Sequence, residues 1–178
     1  MNRATVRPLA GSELTDRTEE LTAIYAAVYR EPPYNEDEHH AKEFASQIAE
    51  QSQRQGFLLI AAEVPDRSLV GFAYGITFPS DRWWRSAGAE PARTRGHQKF
   101  AIIEWVVLGP WRGQGIGQLL FSRLLANRPE PLATLCSNPS SDARTIYRSW
   151  GWEQVGTTSP PNMEPMDVLI KTLTPPEL

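Results

Sequence analysis

The stretch WRGQGIGQLL, residues 111–120, places glycine at 113, 115 and 117 at the head of a segment whose Ile116, Leu119, Leu120 and Leu124 fall on one helical face. A glycine in a helix interior costs roughly 0.5–1 kcal/mol against alanine, so three at alternate positions need a reason. Either the backbone bends sharply there or something approaches it closely. On the N-terminal side FAIIEWVVL, residues 100–108, reads as a buried strand, and Gly109-Pro110 ends it. A strand, a glycine turn and a helix in that order point to a mixed α/β arrangement.

Working outward, ATVRPL (4–9) alternates as a first strand. In ELTDRTEELTAIYAAVYR (13–30), Leu21, Ile24, Tyr25, Val28 and Tyr29 repeat as one helical face. The double proline and acids of EPPYNEDEHH (31–40) mark a loop opening into a second helix, where Ala41, Phe44 and Ile48 keep helical spacing to about Gln53. FLLIAAEV and LVGFAYGITF, separated by PDRS, read as an antiparallel hairpin. Residues 79–98 have no usable period and read as a long loop carrying two tryptophans. Beyond the glycine turn, PLATLC, GWEQVG and MDVLIKTL read as strands, SSDARTIYRSW as a helix and TPPEL as a frayed tail. The expected fold is α/β (α+β), a mixed central sheet of about six to seven strands flanked by about four helices, with residues 1–178 forming one domain.

The 178 residues carry 18 Lys and Arg against 21 Asp and Glu, for a formal net charge of −3. Such a balance lacks the basic footprint that phosphate-backbone binding needs, so nucleic acid is not expected as a partner. The longest apolar runs, LLIAA and WVVL, fall far short of a membrane span, and no apolar segment follows the N-terminal arginines. No membrane partner is expected, and the chain reads as cytoplasmic. A lone Cys136 can form no internal disulfide, and His39, His40 and His97 offer no zinc pattern, so no metal is expected.

At a helix start several N–H groups lack intrahelical partners, and the macrodipole adds about half a positive charge. Glycines at 113, 115 and 117 would clear the approach of phosphate oxygens to those donors, with Arg112 adding a charged fork. Each hydrogen bond to a charged group contributes about 1.5–3 kcal/mol, enough together to outweigh the propensity cost. A Walker loop fails because Gly117 is followed by Gln118-Leu119. The dinucleotide fingerprint fails because the third glycine comes one residue early.

Residues 112–117, Arg-Gly-Gln-Gly-Ile-Gly, resemble the Arg/Gln-x-x-Gly-x-Gly/Ala acyl-CoA motif of the GCN5-related N-acetyltransferases (GNAT). Ala143, Tyr147, Gly151 and Trp152 match that family's Ala-x-x-x-Tyr-x-x-x-Gly-aromatic pattern, while Ser140 stands where the family usually has Asn, with Asn138 nearby. The resemblance implies direct transfer of acetyl from acetyl-CoA to a primary amine. It assigns the cosubstrate to the backbone of Val106 and Val107, to Arg112, Gly113, Gln114, Gly115, Ile116, Gly117 and Gln118, and to Asn138 and Ala143. It further implies Glu104, the only charged residue in residues 100–108, as the base, and Tyr147 as the acid for the leaving thiolate. A Glu104 paired with an arginine or facing solvent, and a Tyr147 that merely packs in the core, are the alternatives.

For the acceptor, the first two helices and the loop before the fourth strand are implied, with Tyr34, Asp81, Trp83 and Trp84 as candidates for a cationic, partly apolar amine. Arg82, Arg85, Arg93 and Arg95 would equally suit an anionic one. The Pro-Tyr bend bears a weaker resemblance to aminoglycoside 6'-N-acetyltransferases. The leading expectation is a small-molecule, even antibiotic, acceptor. A protein or peptide amine and a catalytically idle acyl-CoA-binding module stand beside it, and a homodimer is compatible with each.

Overall fold

A computed structural model of the chain describes residues 4–161 and 163–174, which form two compact units. Among the described residues, the first runs from residue 4 to 76 and from 104 to 126, the second from 77 to 103 and from 127 to 174. The elements are β1 (Thr5–Leu9), α1 (Gly11–Asp16), α2 (Thr18–Tyr29), α3 (Glu38–Gln51), β2 (Leu58–Glu63), β3 (Leu69–Phe78), β4 (Lys99–Val107), α4 (Ile116–Leu125), β5 (Leu132–Ser137), α5 (Asp142–Ser149), β6 (Glu153–Thr158) and β7 (Met166–Thr172). The seven strands and five helices among the described residues bear out the mixed α/β fold expected from the sequence. The TPPEL tail expected to fray lies almost wholly outside the described residues.

In the first unit the strand order is β1-β2-β3-β4. The predicted hairpin is present: β2 runs antiparallel to β3, with Leu59 opposite Tyr74, and to β1, with Leu59 opposite Leu9. The helical face predicted for residues 13–30 is split in two at Arg17, which raises the helix count to five. There the Arg17 guanidinium bonds Glu20 and Glu63 and donates to the Arg67 carbonyl at 2.6 Å, tying the break to the β2–β3 turn. The next helix starts at Glu38, three residues before Ala41, where the loop reading ended, because Asp37 caps it. The Asp37 carboxylate accepts from the His39 and His40 amides, and His40 Nδ1 accepts from the Asp37 amide, closing a capping box. The adjacent histidines are therefore exposed helix-start residues.

Helices α2 and α3 bury Leu21, Ile24 and Tyr25 and Ala41, Phe44 and Ile48 respectively. Tyr25 stacks on Phe44 with ring centroids 4.4 Å apart, and Phe44 reaches Phe72 of β3 at 5.7 Å. All ten residues of β3 are buried. This explains why its sequence reads as a continuous apolar run rather than an alternating one.

One glycine of β3 is set by a close backbone approach. A Cβ on Gly71 would stand 2.6 Å from the Val106 carbonyl oxygen and 3.1 Å from Val107 Cα in β4. Backbone cannot move aside cheaply, so Gly71→Val is expected to destabilise the protein by about 3 kcal/mol, or roughly 6–12 °C in Tm. Thermal unfolding followed by circular dichroism tests this, and a Tm within 2 °C of the wild type contradicts it.

The second unit runs β4-β5-β7-β6, with Lys99–Ala101 parallel to Leu132–Thr134 and β7 antiparallel to both of its neighbours. The irregular 79–98 segment is held from within. Lys99, wholly buried, donates to Glu90 at 2.5 Å and to the Thr94 carbonyl at 3.3 Å. Glu130 is buried with Arg128 and the Thr77 hydroxyl as partners, and those hydrogen bonds hold its pKa below the usual carboxylate range against the opposing effect of burial. Arg144 of α5 pairs with Asp167 at 2.6 Å and Gln154 at 2.9 Å, joining the helix to β6 and β7.

Candidate active site

The first unit gathers the strand, the glycine turn and the start of α4. After β4 a 3₁₀ turn at Gly109–Trp111 redirects the chain, and the Leu108 amide donates to the Val70 carbonyl at 2.9 Å. Gly113 and Gly115 take φ of +73° and +79°, a region that residues with a Cβ enter at a cost. A Cβ at either would meet no protein atom within 4 Å, so both positions border open space. Gly115 is the N-cap of α4 and offers no capping side chain. The Leu119 amide bonds back to its carbonyl. An uncapped helix start behind two glycines that face open space fits a pyrophosphate, which needs N–H donors and unobstructed approach.

The third glycine has a different cause from the one its spacing suggests. A Cβ on Gly117 would lie 2.9 Å from the Trp105 ring, and Trp105 Nε1 donates to the Gly117 carbonyl at 2.9 Å. Trp105 also packs edge-on against Phe121 at 5.3 Å. Gly117 thus lets α4 lie against the indole of β4, rather than clearing space for a ligand. Arg112 stands at the turn as expected, but it is occupied: it donates to the Val107 carbonyl at 2.9 Å and to Glu31 at 2.5 Å. Gln114 donates to the Pro110 carbonyl.

Glu104 is half-buried on β4 and accepts a hydrogen bond from the Tyr29 hydroxyl at 2.5 Å. No ion pair among the described residues involves it, so the arginine-paired alternative finds no partner here, and its side chain is half-buried rather than fully exposed. Desolvation pushes its pKa up to about 8, the Tyr29 bond opposes that rise, and the neighbouring Glu36 charge adds to it. A carboxyl with a pKa of about 8 is mostly protonated at neutral pH, and its deprotonated fraction, which grows as the pH rises, is the form that can take up a proton.

Around it stand hydroxyls to which pattern reading gave only a place on a helical face or in a strand. Tyr25 and Tyr29 lie one turn apart on α2, their rings 4.4 Å apart, and Tyr25 donates to Glu36 at 2.7 Å. Tyr34, a candidate for the acceptor, packs edge-on against Tyr29 at 4.8 Å. Tyr74 of β3 is fully buried, and its hydroxyl has no hydrogen-bond partner among the described residues. Burial first, and then the Glu104 charge, raise the pKa of Tyr25, Tyr29 and Tyr74, so all three hydroxyls keep their protons. The sequence signal for this cluster was present, two hydroxyl-bearing rings four residues apart on an otherwise apolar stripe.

The remaining candidates belong to the second unit. Tyr147 is buried on α5 and its ring meets Trp152 edge-on at 6.0 Å. Asn138 shapes the turn into α5: its side chain accepts from the Ser140 amide at 2.8 Å and its carbonyl from Ser141. Ala143 lies in the first turn of α5. Trp84 donates to Thr134 at 2.9 Å and packs on Phe78, Trp83 lies near the Lys99 ammonium, and Asp81 is exposed. Cys136 is half-buried, and burial pushes its thiol up to about 12, which leaves it without thiolate character.

The profile of the Acetyltransferase (GNAT) family matches residues 19–148. No curated protein matches significantly. Among solved structures, PH1933 from Pyrococcus horikoshii OT3 is 20% identical, superposes with a TM-score of 0.68, and is covered over 99% of its length by 97% of this chain. The histone acetyltransferase HPA2 and related acetyltransferase from Corynebacterium glutamicum is 15% identical, with full coverage of both chains and a TM-score of 0.67. The acetyltransferase YhbS from Escherichia coli, solved in complex with CoA, is 15% identical over 98% of this chain and 83% of its own, with a TM-score of 0.64. The family match covers well over half of the residues and includes β4, the glycine turn and Tyr147, so the chain belongs to the acetyltransferase (GNAT) family, whose general activity is acetyl-CoA-dependent N-acetyl transfer.

Proposed function

We propose that this chain, acting as one domain in the cytoplasm, transfers acetyl from acetyl-CoA directly to the primary amine of a small, cationic molecule. The observation that carries this reading is Glu104, a desolvated carboxyl on the strand that leads into an open glycine cradle. Glu104 takes the proton of the attacking amine, directly or through water, and Tyr147 returns one to the departing thiolate. Arg112 and the backbone of Gly113, Gln114, Gly115, Ile116, Gly117 and Gln118 hold the pyrophosphate. The main chain of Val106 and Val107 holds the pantetheine arm and acetyl carbonyl, with Asn138 and Ala143 completing the cosubstrate site. CoA in the structure of the E. coli relative supports the assignment of the cosubstrate.

On the acceptor side Tyr34 is supported by its place in the tyrosine cluster beside Glu104, and Asp81, Trp83 and Trp84 complete the candidate set. Aromatic rings together with a carboxylate suit an ammonium-bearing acceptor before it is deprotonated. A thiol-release assay over a panel of small amines and lysine peptides tests the reading. Turnover of a small amine above the peptides is expected. Turnover of peptides alone reassigns the acceptor, and acetyl-CoA binding without turnover of any amine overturns the enzymatic reading.

A further inference from the structure

We propose that Tyr29 is a positioning residue for Glu104: its hydroxyl holds Oε2, leaves Oε1 as the oxygen that receives the acceptor's proton, and sets the pH at which it can do so. The inference rests on the reading of Glu104 as the base.

Tyr29 and Glu104 meet across 75 positions of sequence, from α2 to β4, within the first unit. Both residues are half-buried, and the bond is 2.5 Å long, the range of a hydroxyl donating to a charged oxygen. Further titratable groups interact electrostatically with this carboxylate: Tyr25 from α2, Glu36 from the segment before α3, and Tyr74 from β3. Tyr25 spends its hydroxyl on Glu36, and Tyr74 has no bonded partner among the described residues, so Tyr29 alone of these three steadies Glu104. Burial and the Glu36 charge both favour the protonated carboxyl, and the Tyr29 bond is the contribution that favours the charged form. Its loss therefore raises the proton affinity of Glu104.

Tyr29→Phe keeps the ring contacts with Tyr25 and Tyr34 and removes only the hydroxyl. The rising limb of kcat against pH is expected to move up by about one unit, which lowers the rate about tenfold at pH 7 while leaving the high-pH plateau within about twofold. In a Glu104→Gln background the same change is expected to alter kcat by less than about twofold, since the hydroxyl acts through the carboxylate. An unmoved limb, or an equal loss in both backgrounds, overturns the proposal in favour of a purely structural tyrosine. Carbon-13 NMR of glutamate-labelled resting protein reads the same bond without turnover. The Glu104 carboxyl resonance, assigned by its absence from Glu104→Gln, is expected to titrate at higher pH in Tyr29→Phe. An unshifted midpoint overturns the proposal, whereas a shifted midpoint in a protein that acetylates no amine removes the enzymatic reading and keeps the Tyr29–Glu104 link.

Discussion

Glu104→Gln is expected to lower kcat/KM at pH 7 by about 100- to 10,000-fold, the range over which a positioned general base acts. In the wild type the rate should climb with pH through a midpoint near about 8, where the carboxyl loses its proton. The variant should lose that limb, and its deficit should narrow only where the amine deprotonates unaided. A pH profile identical in shape to the wild type reassigns the base. The same substitution has a thermodynamic signature of opposite direction. Glu104 titrates near 8 in the folded protein against an ordinary 4.5, so between those values the folded state binds more protons than the unfolded one. Stability from this group is therefore present below about pH 4.5 and declines as pH rises to about 8. Glutamine carries no such cost, and Glu104→Gln should melt above the wild type at pH 9 and alongside it at pH 4.5. A catalytically dead variant that is more stable in base would separate loss of chemistry from loss of fold.

Gly115→Val is expected to raise the dissociation constant for CoA by at least about 100-fold, equivalent to losing two or so charge-assisted hydrogen bonds. Two causes add. Valine resists the φ of +79° that Gly115 adopts, and its branched side chain would fill the open space before the helix donors. Gly115→Asn separates them, because asparagine tolerates the left-handed conformation yet still places a side chain in that space. We expect Asn to retain near-wild-type stability and still weaken CoA binding by calorimetry. Unchanged affinity in both variants removes the account of the turn as a phosphate cradle.

Much of this molecule follows from short-range pattern. The two apolar runs of residues 57–64 and 69–78 marked a hairpin that the backbone forms, and the period of Ile116, Leu119, Leu120 and Leu124 marked α4, although Leu119 is exposed. The break at Arg17 escaped pattern reading because the helical period continues through it, and the guanidinium's partners, Glu63 and the Arg67 carbonyl, are distant in sequence. The glycines of residues 113–117 illustrate both limits. Their spacing marked a strand-to-helix turn, and two of them do adopt positive φ beside open space, but Gly117 is small because the Trp105 indole occupies the volume its side chain would need.

The sequence by itself determined the element order, the glycine turn and the isolation of one carboxylate in an apolar strand, since each depends on neighbours a few positions apart. Only the tertiary structure decided the environment of that carboxylate. Desolvation, the Tyr29 hydroxyl and the Glu36 charge come from elements brought together by packing, as does the Glu31 partner of Arg112. Proton affinity is set by which charges and dipoles surround a group in space, and linear order does not specify that.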